Sequence, residues 1–179
     1  MNKEIDIKDK IFEIFISEDE ISSIVHSMAN QINNSGVKDP LFIAVLNGSF
    51  IFAADIMRKI NIPNCEISFI KLSSYLGTET TGKVNELIGL GKNIRNRNVV
   101  ILEDIIDTGI TLEKIMSLLE KEEVADIKVA TLLFKPEAYK KDIEIDFIGK
   151  SIPNDFVVGY GLDYDEIGRN LPHIYKLKE

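Results

Sequence analysis

Apolar residues along the chain fall into two periods. Ile21, Ile24, Val25, Met28, Ala29 and Ile32 recur three and four residues apart, which predicts an amphipathic helix. Ser17-Glu18-Asp19-Glu20 precedes them with the spacing of a capping box, and Asn34-Ser35-Gly36 supplies a stop. Upstream, "IFEIFIS" (Ile11 to Ser17) alternates well enough for a half-buried strand. "LFIAVL" (Leu41 to Leu46) is a continuous apolar run between turn signals, the pattern of a strand buried on both faces. Asn47-Gly48-Ser49 breaks it, and "FIFAADIMRKI" follows as a largely apolar helix. "CEISFIKL", "NVVILED", "IKVATLLF", "DFIGKSI" and "DFVVGYG" read as further strands. Ile110 to Glu122 reads as a helix with Ile115, Leu118 and Leu119 on one stripe, and "HIYKLK" as a closing edge strand.

Strands alternating with helices at short spacing predict an α/β fold, a mainly parallel twisted sheet with helices on both faces. The last third is strand-rich and is expected to build a small flap or hood over one edge. No repeat, low-complexity stretch or linker divides the chain, so residues 1–179 are expected to form a single domain, with the N-terminal and C-terminal segments contributing the hood. One segment has little to bury. "SSYLGTETTGKV" (Ser73 to Val84) is rich in Ser, Thr and Gly, and so long a loop in a compact domain is expected to act as a lid.

Composition narrows the function classes. A net charge of −8 sets the surface as a whole against nucleic acid and anionic lipid, so a phosphorylated ligand must be held by local donors or a metal. The single cysteine, Cys65, excludes an intramolecular disulfide and reads as a small buried hydrophobe. The charged N-terminus "MNKEIDIKDK" has no secretory pattern. No apolar run approaches the ~18 residues of a membrane span. A cytoplasmic setting without membrane contact is expected.

The chemistry concentrates in "VVILEDIIDTGITL", Val99 to Leu112. A buried strand ends in Glu103, Asp104 and Asp107, although crowded carboxylates are costly to desolvate. In a parallel sheet that strand end is where ligands bind. Gly109 permits close backbone approach, the free amides of the helix start attract an anion, and Thr108 and Thr111 add hydroxyls. The turn has no Lys and is not the nucleotide-triphosphate loop. Carboxylates accept hydrogen bonds from vicinal hydroxyls and attract Mg²⁺. A phosphate cradle beside a diol acceptor points to a ribose 5-phosphate group.

These residues resemble the 5-phosphoribosyl-1-pyrophosphate (PRPP) motif of the purine phosphoribosyltransferases, particularly the bacterial hypoxanthine and hypoxanthine-guanine enzymes. "VLNGSFIFAADI" is similar to their pyrophosphate loop and following helix, and "KLSSYLGTETTGKV" to their mobile loop. "LLFKPEA" and "IPNDFVVGYGLDYDEIGRNLPHIY" resemble their base-binding segments. The resemblance implies a type I phosphoribosyltransferase-like fold. It implies transfer of the phosphoribosyl group from PRPP to N9 of a 6-oxopurine in purine salvage, forming IMP or GMP and pyrophosphate.

By the same resemblance, Asp107 is the catalytic base or proton holder beside purine N7. Glu103, Asp104, Asp107, Thr108, Gly109, Ile110 and Thr111 bind PRPP and its 5-phosphate. Leu46, Asn47, Gly48, Ser74, Tyr75 and Arg169 bind pyrophosphate. Lys135, Phe156, Val157 and Asp163 bind the purine, with Lys135 donating to the 6-oxo group. Glu103, Asp104 and Asp163 hold Mg²⁺, and a homodimer or homotetramer is implied. One departure stands out: many relatives carry a basic residue where this chain has Asn47. His26 and His173 match no family role, and His26 is expected to face solvent.

An alternative is a regulator on the same scaffold that binds nucleic acid with PRPP or a purine as effector. It wants a basic face, and this chain is acidic. An aspartic protease needs a second aspartate motif, and Asp107-Thr108-Gly109 occurs once.

Overall fold

The computed structural model describes residues 4–72, 86–88 and 93–178. The chain opens with a hairpin, β1 (Glu4–Ile7) and β2 (Lys10–Ile16), then α1 (Glu18–Asn33). Next come β3 (Leu41–Val45), α2 (Phe50–Met57), β4 (Glu66–Leu72) and β5 (Glu86–Ile88). β6 (Asn98–Ile106) leads into α3 (Ile110–Lys121) and β7 (Asp126–Phe134). β8 (Phe147–Ser151), β9 (Val157–Val158) and β10 (Ile174–Leu177) complete the order.

The larger sheet runs β5-β4-β3-β6-β7-β8, parallel throughout except for β5, which pairs antiparallel with β4. β3 is buried at every position, as its unbroken apolar run requires of a strand covered on both faces. One core, containing Val25, Met28, Phe42, Phe52 and Leu132, packs α1 and α2 on one face. The other, containing Ile43, Ile101, Leu112, Ile115 and Leu119, packs α3 on the opposite face. α1 forms as its pattern predicts. Extended Ser17 accepts a hydrogen bond from the Glu20 amide at 3.2 Å, three acids occupy the first turn, and Ile21, Val25, Met28, Ala29 and Ile32 are buried.

The smaller sheet, β1-β2-β10-β9, is antiparallel and joins the two ends of the chain. β10 therefore lies inside this sheet, between β2 and β9, rather than at an edge as its position at the chain end predicts. The pattern does not announce β1, because the alternation in Glu4-Ile5-Asp6-Ile7 is masked by surrounding charge. His26 is exposed, as expected. His173 acts structurally, since its Nδ1 accepts the Glu18 amide at 2.9 Å and fastens the start of α1 to the smaller sheet. Cys65 is only half-buried, packed against the first core.

Strand order decides where a ligand site belongs. From β3 the chain passes through α2 to β4 on one side, whereas β6 lies on the other side and leads outward to β7 and β8. The winding direction reverses between β3 and β6. At such a point the two following turns diverge and leave a crevice at the carboxyl ends of the strands. Leu46-Asn47-Gly48 and Asp107-Thr108-Gly109 are those turns, with Glu103 and Asp104 near the end of β6.

Candidate active site

Val45, Leu46, Gly48, Leu72, Glu103, Asp104, Ile105, Thr111 and Lys114 surround a cleft of about 310 Å³ at this switch point. A second hollow, of about 240 Å³, is walled by Glu103 and by the chain from Ile105 through the turn to Leu112. Gly109 caps α3 with φ of 81°, a left-handed conformation that an L side chain adopts only with strain. A Cβ there would come within 2.6 Å of the Tyr139 ring, so space and conformation both require glycine. Among the described residues no side chain caps α3. Its leading amides are left for an anion, the partner that free helix N-termini and their dipole favour.

The loop after β3 approaches from the other side. The Leu46–Asn47 peptide is cis, and the Leu46 amide donates to the Ile70 carbonyl at 2.8 Å. A Cβ on Gly48 would overlap the Asp104 carboxylate. Gly48 is thus the residue that lets the two turns meet.

The acids are held in an environment that disfavours their charge. Glu103 is 4% exposed, and burial pushes its carboxyl well above the ordinary range, with the Asp104 charge adding to the shift. Asp104 is pushed up to about 6, chiefly by burial. Its own amide, the Ile105 amide and Arg169 oppose that rise, and Asp163 adds to it. Two such carboxylates suit ligands that donate hydrogen bonds or bring positive charge.

Lys135 follows β7 and Asp107 follows β6, parallel neighbours whose ends are joined by the Lys135 amide donating to the Ile106 carbonyl at 3.0 Å. That register places the Lys135 Nζ 3.2 Å from Asp107 Oδ2. The lysine side chain is 9% exposed and the aspartate 45%, so a buried ammonium reaches toward a carboxylate at the cleft edge.

Phe156 precedes β9 and is 44% exposed despite its size. Phe12 and Tyr164 pack around it, Tyr164 edge-on at 5.8 Å and 83°. Val157 is buried in β9. Asp163 and Arg169 form a 2.8 Å ion pair. Asp163 also accepts the Glu166 amide at 2.7 Å, and Arg169 donates to the Gly161 carbonyl at 2.9 Å. The predicted site residues therefore form three neighbouring groups: the cleft with Leu46, Gly48, Glu103, Asp104 and Thr111, the Lys135–Asp107 pair, and the Asp163–Arg169 pair. Asn47 is half-buried on the loop beside the first group. Ser74 and Tyr75 lie outside the described residues.

Among the described residues, no three Asp, Glu, His or Cys side chains converge on a point that could hold a metal. The predicted Glu103, Asp104 and Asp163 thus form no closed cage. Carboxylate oxygens are the donor type Mg²⁺ takes, commonly one or two of them together with substrate phosphates and water.

Sequence reasoning missed Gly161. Its φ is 101°, and a Cβ there would overlap the Gly48 carbonyl, so this backbone packs directly on the loop after β3. Two glycines flanking Tyr160 inside a strand-like segment were the available signal of close backbone approach.

Residues 17–165 match the phosphoribosyl transferase domain family. A hypoxanthine-guanine phosphoribosyltransferase of Staphylococcus epidermidis is 45% identical over 167 residues, covering 92% of this chain and 93% of that protein. A solved hypoxanthine-guanine phosphoribosyltransferase from Bacillus anthracis, with a HEPES molecule in its active site, superposes with a TM-score of 0.85 at 41% identity, covering 95% of this chain and 99% of that one. A hypoxanthine phosphoribosyltransferase structure from Staphylococcus aureus gives 0.84 at 41% identity, with 93% and 91% covered. The likeness in sequence and in fold runs along nearly the whole length of these relatives, and the chain belongs to the phosphoribosyltransferase family.

Proposed function

We propose that the protein transfers the 5-phosphoribosyl group of PRPP to N9 of a 6-oxopurine, hypoxanthine and also guanine, releasing pyrophosphate. The observation that carries the reading is the Lys135–Asp107 pair, an ammonium and a carboxylate 3.2 Å apart. N7 and the 6-oxo group lie on one edge of a purine. A donor and an acceptor side by side can therefore engage both at once. Lys135 donates to the 6-oxo oxygen, and Asp107 accepts the N7 proton.

In the reaction the bond from C1 to the pyrophosphate oxygen breaks and the bond from C1 to N9 forms. The base gives up its N7 proton to Asp107, and the leaving group departs with the bonding electrons. The amides and hydroxyls from Thr108 to Thr111 hold the 5-phosphate, while Glu103 and Asp104 accept the ribose hydroxyls. Leu46, Asn47, Gly48 and Arg169 border the pyrophosphate. The exposed Phe156 ring stacks on the base, with the Val157 backbone at its edge. Glu103, Asp104 or Asp163 would hold Mg²⁺, which would supply neutralisation of the charge that develops on the leaving group. A single-domain protomer, a homodimer or homotetramer, and a cytoplasmic location complete the proposal. Among the described residues, no helix is long and apolar enough to cross a membrane.

Asp107→Asn tests it. The variant keeps the shape of the turn but cannot hold the proton, and positioned proton acceptors contribute about 10²–10⁴-fold. Turnover should fall within that range while PRPP affinity, measured by calorimetry, stays close to the parent. A variant with near-normal kcat would reduce Asp107 to a turn residue.

A further inference from the structure

One buried hydroxyl has no part in the chemistry above. Tyr160 is 7% exposed and donates to Asp55 Oδ2 at 2.8 Å, across 105 positions of sequence. The two residues sit outside the cleft, on separate segments that each lead into it. Asp55 lies on α2, the helix that continues from the Leu46-Asn47-Gly48 loop. That helix is fixed to the loop by Ser49, whose Oγ donates to the Val45 carbonyl at 2.6 Å. Tyr160 begins the segment bearing Asp163 and Arg169. Its neighbour Gly161 donates its amide to the Arg169 carbonyl and accepts from the Arg169 guanidinium, each at 2.9 Å.

Tyr160 also holds a positive φ of 51° between two glycines at 98° and 101°. A tyrosine in that conformation is strained, so something must hold it there. Its amide donates to the Leu171 carbonyl at 2.8 Å, its ring packs in the first core, and its hydroxyl reaches Asp55. Beside the hydroxyl a cavity of about 410 Å³ separates α1 and α2 from Asn170, Leu171 and Pro172, with Asp55, Arg58 and Tyr160 on its walls. At this point the segment is joined to α2 by a hydrogen bond at the rim of an open cavity.

We propose that the Tyr160–Asp55 hydrogen bond is a positioning contact that sets how closely the Asp163–Arg169 segment sits on the Gly48 loop, and so tunes affinity for the pyrophosphate portion of PRPP. The Gly161 backbone rests against the Gly48 carbonyl. A small shift of Tyr160 is therefore passed directly to the loop and to Arg169. Asp107 follows β6 and Lys135 follows β7, so this pair lies outside the segment that the contact positions. The inference rests on the functional reading above.

The test compares Tyr160→Phe, Asp55→Ala, Asp55→Asn and the Tyr160→Phe/Asp55→Ala double variant. Each is assayed for the KM of PRPP and of hypoxanthine, kcat, and direct calorimetric binding of pyrophosphate with Mg²⁺. Tyr160→Phe keeps the ring and removes the donor. Losing one net hydrogen bond should raise the PRPP KM and the pyrophosphate Kd by about threefold to tenfold. Saturated kcat should change by less than about twofold, because Lys135 and Asp107 are not touched, and the hypoxanthine KM should rise less than the PRPP KM, because Asp163 is the one base-binding residue in the displaced segment.

Asp55→Ala should reproduce that split. The double variant should be no worse than either single one, since both remove the same contact. Asp55→Asn retains an acceptor and should recover most of the parent affinity. Equal losses for PRPP and hypoxanthine, additive effects, or a lowered melting temperature with unchanged pyrophosphate binding would each overturn the inference. If Tyr160→Phe fails to fold, Asp55→Ala, at the more exposed partner, decides alone. Absence of PRPP-dependent turnover in the parent would instead overturn the functional reading, and the two failures are thus distinguishable.

Discussion

Lys135 shows how much one residue can decide. An ammonium offers donors only, so it suits a carbonyl oxygen and meets the amino group of adenine unproductively. A buried donor left unpaired costs about 1–3 kcal/mol, and more when charged, which is tenfold or better in specificity. Lys135→Ala should therefore lower kcat/KM for hypoxanthine about tenfold or more while leaving an already poor adenine reaction nearly unchanged. Parallel initial-rate assays check it, and an equal loss with both bases would remove Lys135 from base recognition. Asn47 makes a second test. A charge-assisted contact is roughly twice as strong as a neutral one, so Asn47→Lys should tighten pyrophosphate product inhibition several-fold. Inhibition that stays flat or weakens would show that no charge is missing at this loop. Lys135 and Asp107 were both legible as single residues in the sequence. Their 3.2 Å approach was not, because it depends on the register of β6 against β7.

Elements position these residues through backbone contacts that side-chain patterns do not announce. Gly48 sits so close to Asp104 that Gly48→Ala must push the loop after β3 away from the β6 turn. PRPP affinity should drop by more than about tenfold, with the far-ultraviolet spectrum unchanged because the displaced backbone is a surface turn. A fully active Gly48→Ala protein would contradict the close approach. α1, β3, β6 and α3 were readable because a buried stripe or run, a cap and a turn agree with one another. α2 ends at Met57, earlier than its apolar run predicts. β6 continues to Ile106, past the acids, because its register with β7 holds that far. The interior place of β10 was unreadable, since which strands flank it depends on β2 and β9, distant in sequence.

For the molecule as a whole, the buried acids of the site tie stability to pH. Asp104 is raised from an ordinary 3.8 to about 6, and Glu103 is raised as well. A carboxyl whose folded pKa exceeds its unfolded value favours the fold while protonated. That advantage is full below about pH 4 and is lost as pH rises through about 6. Asp104→Asn, which cannot ionise, should therefore raise the melting temperature of the ligand-free protein at pH 8 and have little effect near pH 4. A variant destabilised equally at both pH values would show that the carboxylate carries no such penalty. On the proposed reading, the same ionisation should make binding of Mg²⁺ with PRPP weaken as pH falls through about 6.

The reaction proposed for the switch-point crevice is the joining of a 6-oxopurine to PRPP. Its most direct test is an initial-rate comparison of hypoxanthine, guanine, xanthine and adenine with PRPP and Mg²⁺, following both nucleotide and pyrophosphate. Hypoxanthine and guanine should give nucleotide and pyrophosphate in equal amounts, and adenine should lag by at least about tenfold, the discrimination expected of an unpaired buried donor. Adenine turned over as well as hypoxanthine, or no PRPP-dependent nucleotide from any base, would contradict the account.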